Sequence, residues 1–117
     1  MHAKVFSCSI HGFECQIIDV EVDISSGLPS FSIVGLGDTS IQEAKERVRS
    51  AIKNSDASFP MTKKTINLAP ADSKKQGPSF DLPIALGLLQ ASKQIPKSDM
   101  SKSIIVGELA LNGQVRP

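Results

Sequence analysis

The chain of 117 residues contains no tryptophan, no tyrosine and only two cysteines. Without the two largest aromatic side chains, a surface on which the bases of a single nucleic-acid strand stack is not expected. Two cysteines are too few for the disulfide framework of a small secreted domain. No apolar stretch is long enough for a membrane-spanning helix, and the N-terminus is too polar for a signal peptide. A cytoplasmic protein that makes no contact with a membrane is therefore predicted.

Charge of one sign and metal-binding motifs are also scarce. The formal net charge is +1, so any basic surface has to come from local clustering of lysine and arginine. No GxxxxGK[ST] stretch occurs, which excludes ATP binding through a P-loop in this chain. The spacing of Cys8, His11 and Cys15 matches no zinc-binding pattern. No metal site and no cofactor are predicted for the chain itself.

Alternating apolar residues predict a three-stranded meander over residues 3–36. In its first strand Phe6, Cys8 and Ile10 are expected to face the core, which would bury the Cys8 thiol. In its second strand, residues 18–24, apolar side chains alternate with carboxylates, so one face of the sheet is predicted to be buried and the other acidic. A solvated sheet face explains these carboxylates without a bound cation.

A helix is predicted over residues 39–54, with Thr39 and Gln42 in the spacing of a capping box. On its outer face Glu43 and Arg47 are placed for an i,i+4 ion pair. The same face carries a ridge of three basic residues, which are Lys45, Arg49 and Lys53. Such a ridge is typical of a solvated helix face, and a binding role is the alternative.

The stretch NLAPADSKKQGPSFDLP, residues 67–83, combines prolines and a glycine, which restrict or free the backbone, with polar side chains. It follows a short strand predicted over residues 64–68 and precedes an almost entirely apolar, hence interior, helix that Ser79 or Asp81 is expected to cap. Two lysines, a serine and free amides at a helix start suit either a bound anion or a nucleophile. A last strand is predicted to open at residues 104–106. The order βββαβαβ predicts an α+β fold, a two-layer α/β sandwich.

The same patterns predict which apolar side chains share one core. The predicted core residues are Ile18, Val20, Val22, Phe31, Ile33, Val48, Ile52, Ile66, Leu82, Leu86 and Leu89. They are the inward positions of strands with period two and of helices with an apolar stripe.

Five segments of the chain resemble one family. They are VEVDISSGLPSFSIVGLGD, ERVRSAI, INLAPAD, KKQGPSFDLPIALGLL and VGELALNGQVRP. Together they are similar, over nearly the whole chain, to the N-terminal domain of the magnesium-chelatase-like AAA+ family. Gly37 stands where that family usually has a proline, a difference that affects only a turn. The resemblance implies the ribosomal protein S5 domain 2-like fold, shared with the Lon protease domain and the C-terminal domain of the recombination protein RadA.

The resemblance also implies a function. Residues 1–117 would form one non-catalytic accessory domain of this ChlI type, truncated before an AAA+ ATPase domain of the same chain. The full-length protein is then expected to be a homo-hexamer that hydrolyses ATP with magnesium. It would act on DNA by branch migration in recombination or natural transformation.

Two alternatives stay open. The first is a Lon-like Ser-Lys peptidase, because Ser79 in GPS matches the catalytic serine of the Lon motif. Against it, Asp81 replaces a small residue of the Lon oxyanion turn, and the position of the Lon lysine lies beyond Pro117. The second is a magnesium chelatase subunit that inserts magnesium into a porphyrin.

Four lysines bracket the predicted central strand and loop, and these are Lys63, Lys64, Lys74 and Lys75. If they lie close together, their amines would contact phosphates without reading base sequence. They are the candidate nucleic-acid-binding residues, and DNA is the predicted partner.

Overall fold

The computed structural model describes residues 1–71, 75, 77–96 and 102–116. The elements, in chain order, are β1 (His2–His11), β2 (Glu14–Ser25), β3 (Ser30–Val34), α1 (Asp38–Lys53), β4 (Lys63–Ala69), a single 3₁₀ turn (Pro78–Phe80), α2 (Asp81–Ala91), β5 (Glu108–Leu109) and β6 (Val115–Arg116). This order confirms the α+β class. Neither helix in the described ranges is both long enough and apolar enough to cross a lipid bilayer.

The main sheet has the strand order β1-β2-β4-β3. β1 pairs antiparallel with β2, and β2 pairs antiparallel with β4. β3 and β4 run parallel, so α1 is the crossover that such a pair requires. α2 packs on β1 and β2 and also contacts α1, so both helices form a second layer on one face of the sheet. β5 and β6 form a separate two-stranded hairpin.

The alternation in β2 is as predicted. Its buried side chains face the helices, while Glu21 and Asp23 are exposed on the opposite face. In α1 the inward stripe of Ala44, Val48 and Ile52 is buried. These two patterns hold because each element presents one apolar face at the period of its own geometry.

The predicted face of β1 is wrong. Val5 and Ser7 are fully buried, whereas Cys8 is half-buried and Ile10 is 72% exposed. The pairing with β2 explains this outcome, since Val5 lies opposite the buried Val20 and residues directly opposite one another share a face of the sheet. Ala3, Val5 and Ser7 therefore face the helices.

The predicted capping of α1 is also wrong. α1 begins at Asp38 after Gly37, and no described side chain caps its first turn. Thr39 is already inside the helix, so it cannot serve as the residue before it. The last predicted strand begins later than expected, at Glu108 rather than at residues 104–106.

Most of the predicted core is confirmed. Seven of the predicted residues are buried, namely Ile18, Val20, Val22, Ile33, Val48, Ile52 and Ile66. Phe31, Leu82 and Leu89 are partly buried and pack against that cluster.

Leu86 is the exception in the predicted core. It is half-buried and lines a small apolar cleft of about 110 Å³ beside the β5–β6 hairpin. The buried stripe of α2 instead contains Ile84, Leu88 and Ala91, spaced as one helix face. Between them, Gly87 lies so close to Val22 that a Cβ there would come within 2.5 Å of a valine methyl.

Candidate functional site

Ser79 occupies the middle of the 3₁₀ turn that precedes α2. Its backbone carbonyl accepts a hydrogen bond from the Gly107 amide at 2.9 Å. Its side chain is half-buried, and no side chain in the described part of the structure hydrogen-bonds its hydroxyl. A serine hydroxyl needs a neighbouring base to act as a nucleophile, and the described residues supply none. The prediction that Ser79 or Asp81 caps α2 is wrong, because Phe80 is the residue before the helix and no described side chain caps its first turn.

Asp81 forms the best-buried polar contact of the site. Its carboxylate is 1% exposed and accepts hydrogen bonds from Arg47 Nε at 2.6 Å and from Arg47 Nη2 at 3.3 Å. The Leu109 amide donates a third hydrogen bond to it at 3.2 Å. Through this carboxylate, α1, α2 and β5 are joined at one point.

The surroundings of this ion pair act on both partners. Burial raises the pKa of the Asp81 carboxyl, and the hydrogen bonds from Arg47 and from the Leu109 amide oppose that rise. The hydrogen bond to Asp81 raises the pKa of the Arg47 guanidinium. Because a two-pronged guanidinium–carboxylate contact favours both charged forms, we describe the pair as ionised.

The sequence-based pairing of Arg47 with Glu43 is therefore wrong. Local spacing favours Glu43, but Arg47 reaches the carboxylate buried by the tertiary fold. A signal for this contact was present in the sequence. Asp81 is the one charged residue of the mostly apolar α2, and a buried carboxylate requires a cationic or hydrogen-bonding partner.

Two of the four candidate lysines are buried. Lys64 is 3% exposed, and its Nζ donates to the carbonyls of Pro60 and Thr62 at 2.8 Å each. Burial lowers the pKa of its ammonium group. Lys75 is also 3% exposed, and its Nζ donates to the Pro70 carbonyl at 2.5 Å.

The three lysines that the structure describes do not lie together. Lys63 is exposed and, with Lys64, begins β4, whereas Lys75 contacts the residue that follows the other end of that strand. Seven residues of strand separate these positions by about 20 Å. Lys74 lies outside the described residues. Phosphate binding by the four lysines stays a prediction.

Lys64 and three cations of α1 line a groove between α1 and the starts of β3 and β4. We call it the basic groove; it has a volume of about 390 Å³ and is lined by Pro29, Ser30, Phe31, Gln42, Lys45, Glu46, Arg49, Lys53, Phe59, Met61 and Lys64. Its floor is aromatic, since the Phe31 and Phe59 ring centroids are 5.4 Å apart. Lys64 Nζ lies 4.8 Å from the Phe59 centroid and 5.9 Å from that of Phe31.

The ridge predicted on α1 forms one wall of the basic groove. Arg49 and Glu46 form an exposed ion pair with an Nη2–Oε1 distance of 2.7 Å. Lys45 and Lys53 make no ion pair or side-chain hydrogen bond with any described residue. The predicted ridge is thus present, and it lies beside a concave surface.

The cysteines and acidic residues form no metal site in the described ranges. No group of three or more His, Cys, Asp or Glu side chains there is placed to hold a metal ion. Cys8 and Cys15 are free thiols. Partial burial and the neighbouring Cys15 thiol raise the pKa of Cys8.

The family model described as subunit ChlI of Mg-chelatase matches residues 20–117, which include α1, both buried lysines and the Arg47–Asp81 pair. The chain belongs to the Mg-chelatase ChlI family.

Individual ChlI-family relatives match over most of the chain. The uncharacterized protein YifB of Salmonella typhimurium is 52% identical over 90% of this chain and 21% of its own length. The competence protein ComM of Haemophilus influenzae is 45% identical over 97% of this chain and 22% of its own length. An uncharacterized protein of Mycobacterium tuberculosis is 39% identical over 97% and 23%, respectively. The chain thus spans about a fifth of the length of the curated ChlI-family relatives it matches.

Proposed function

We propose that this chain is a non-catalytic accessory domain of a larger ChlI-family ATPase that acts on DNA in recombination or natural transformation. In this proposal an AAA+ domain of the same protein binds ATP and magnesium and assembles as a homo-hexamer in the cytoplasm. The name competence protein, carried by the Haemophilus relative, supports the part concerning transformation.

The observation that carries the non-catalytic part is the hydrogen bonding around Asp81. The helix start that follows Ser79 presents a carboxylate bound by Arg47 and by the Leu109 amide. A peptidase needs donors there that stabilise an oxyanion, and a carboxylate has none to offer when ionised. The serine hydroxyl also has no base among the described side chains. This arrangement supports a structural role for residues 78–81.

The test uses the full-length protein and its Ser79→Ala variant. We expect both proteins to move the junction of a labelled three-strand DNA substrate in the presence of ATP and magnesium, at equal rates. Neither is expected to cleave fluorescent casein. Ser79→Ala is expected to fold like the unsubstituted protein, because the serine hydroxyl has no hydrogen-bond partner among the described residues.

Two results would overturn the proposal. Casein cleavage that disappears in Ser79→Ala would establish the peptidase alternative. Failure of the full-length protein to move any DNA junction, together with magnesium insertion into a porphyrin, would establish the chelatase alternative.

A further inference from the structure

We infer that the basic groove binds the sugar–phosphate backbone of a DNA strand lying along α1. This inference rests on the proposed DNA role and moves the contact away from the lysines around β4. Lys45, Arg49 and Lys53 recur at intervals of four residues, which places them in one row on the helix. Eight residues of helix rise by about 12 Å, and one strand of a duplex carries a phosphate about every 3.4 Å of its axis. The row is therefore long enough to follow three or four phosphates.

The cations of this row are available to a ligand. Lys45 and Lys53 have no ion-pair partner among the described residues. Arg49 binds Glu46, but both side chains are exposed at 45% and 61%, so water screens their attraction and a phosphate can compete for the guanidinium. Lys64 differs, because its amine is held by two carbonyls beneath the surface. Its charge contributes to the potential of the groove without direct contact.

The distribution of charge also selects this side of the molecule. The outer face of the sheet, opposite the layer that contains α1, carries three carboxylates and two amines, those of Asp19, Glu21, Asp23, Lys4 and Lys63. A polyanion is repelled by the first surface and attracted by the second. Because the net charge is only +1, it is this separation of charge, and not the total charge, that would orient the domain toward DNA.

The floor of the groove fits a backbone ligand better than stacked bases. Phe31 and Phe59 are half-buried, and Lys64 already lies over both rings. Met61, 70% exposed, leaves an apolar ledge on which sugars can rest. Contacts of this kind position a strand without reading its sequence. An acidic peptide is the competing ligand, and the test includes it.

The experiment compares two double variants of this chain that remove equal charge. Lys45→Ala with Lys53→Ala removes two cations of the groove, whereas Lys93→Ala with Lys102→Ala removes two exposed lysines elsewhere. Binding of a fluorescent DNA duplex and of a fluorescent single strand is measured by anisotropy between 25 and 200 mM salt. Equal melting temperatures for the three proteins verify folding. A polyglutamate peptide is measured in parallel.

We expect the groove variant to lower the log–log salt slope by about 1.8 on duplex and about 1.4 on a single strand, for two lost phosphate contacts. The control variant should leave the slope unchanged. An unchanged slope in the groove variant, an equal loss in the control, or binding of polyglutamate without binding of DNA would each overturn the inference. If the full-length protein moves a junction but the groove variant keeps the salt slope of the unsubstituted chain, the groove is rejected and the proposed function is retained. If DNA binding depends on the groove but the full-length protein moves no junction, the groove is retained and the proposed function is rejected.

Discussion

Arg47 and Arg49 lie two residues apart on α1, and each binds one carboxylate. Arg47 reaches across the helix layer to Asp81, whose carboxylate is 1% exposed. Arg49 binds Glu46 on its own helix, where both side chains contact water. The first pair joins α1 to α2 and to β5, while the second spans less than one turn. Whether a basic residue of α1 holds the fold or is available to a ligand therefore depends on which element carries its carboxylate partner.

The lysines divide in the same way. Lys64 and Lys75 donate to backbone carbonyls and are buried, whereas Lys45 and Lys53 line an open groove. Removing a buried amine removes the charged hydrogen bonds that it donates inside the fold. Removing an exposed amine breaks only its contacts with water.

Arg47→Ala is expected to produce the largest loss of stability. It leaves the buried Asp81 carboxylate with the Leu109 amide as its one remaining described partner, and breaking one side of a buried ion pair costs about 3 to 5 kcal/mol. Urea unfolding followed by circular dichroism measures this loss. Arg49→Ala is the matched control and should leave the unfolding midpoint unchanged. Equal midpoints for the two variants would show that the Asp81 contact does not hold the layers together.

Leu88→Ala tests the corresponding division on α2. Leu88 is fully buried, and its truncation is expected to cost about 2 to 5 kcal/mol through lost burial and the cavity left behind. Leu86→Ala removes the same atoms beside an open cleft and should cost distinctly less. Chemical unfolding of both variants measures the difference. A larger loss for Leu86 would mean that the face of α2 assigned to the core is wrong.

Lys75→Ala is expected to have an intermediate effect. The variant loses the hydrogen bond that the charged Nζ donates to the Pro70 carbonyl, and a hydrogen bond of a charged group contributes about 1.5 to 3 kcal/mol. Lys63→Ala, at an exposed position on β4, should change the free energy of unfolding by less than about 0.5 kcal/mol. Thermal unfolding of the two variants measures the contrast. A silent Lys75→Ala would return this lysine to the set available for phosphate.

Sequence patterns predicted the fold where one face of an element is clearly apolar. β2 and α1 are such elements, and their buried faces are as expected. In β1 both faces carry apolar residues, so only the pairing of Val5 with Val20 decides which face is inside. The apolar side chains of α2 likewise surround the helix, and Leu86 was assigned to the wrong side.

The candidate site was harder to predict because its contacts are tertiary. Local spacing pairs Arg47 with Glu43, while the fold places Asp81 within 2.6 Å of Arg47. The sequence shows that Lys64 and Lys75 are near the central loop. It does not show that backbone carbonyls of Pro60 and Pro70 accept their hydrogen bonds, since that depends on the paths of the turns. The ridge on α1 was predictable, and the groove beside it was not, because Phe59 and Met61 come from a different part of the chain.

Glu46→Gln is expected to have the smallest effect, and it tests the exposed Arg49–Glu46 pair directly. Glu46 is the one acidic residue among those that line the basic groove, and it holds Arg49 in an ion pair. Replacing it with the neutral isostere frees the guanidinium and removes a charge that repels phosphate. We expect DNA affinity at low salt to rise about two- to fivefold, the range of one exposed ion pair, with no change in melting temperature. Glu43→Gln, on the same helix but outside the lining of the groove, is the matched control and should alter affinity less. Anisotropy titrations at fixed salt measure both variants, and equal gains would show that the helix acts through its total charge rather than through the groove.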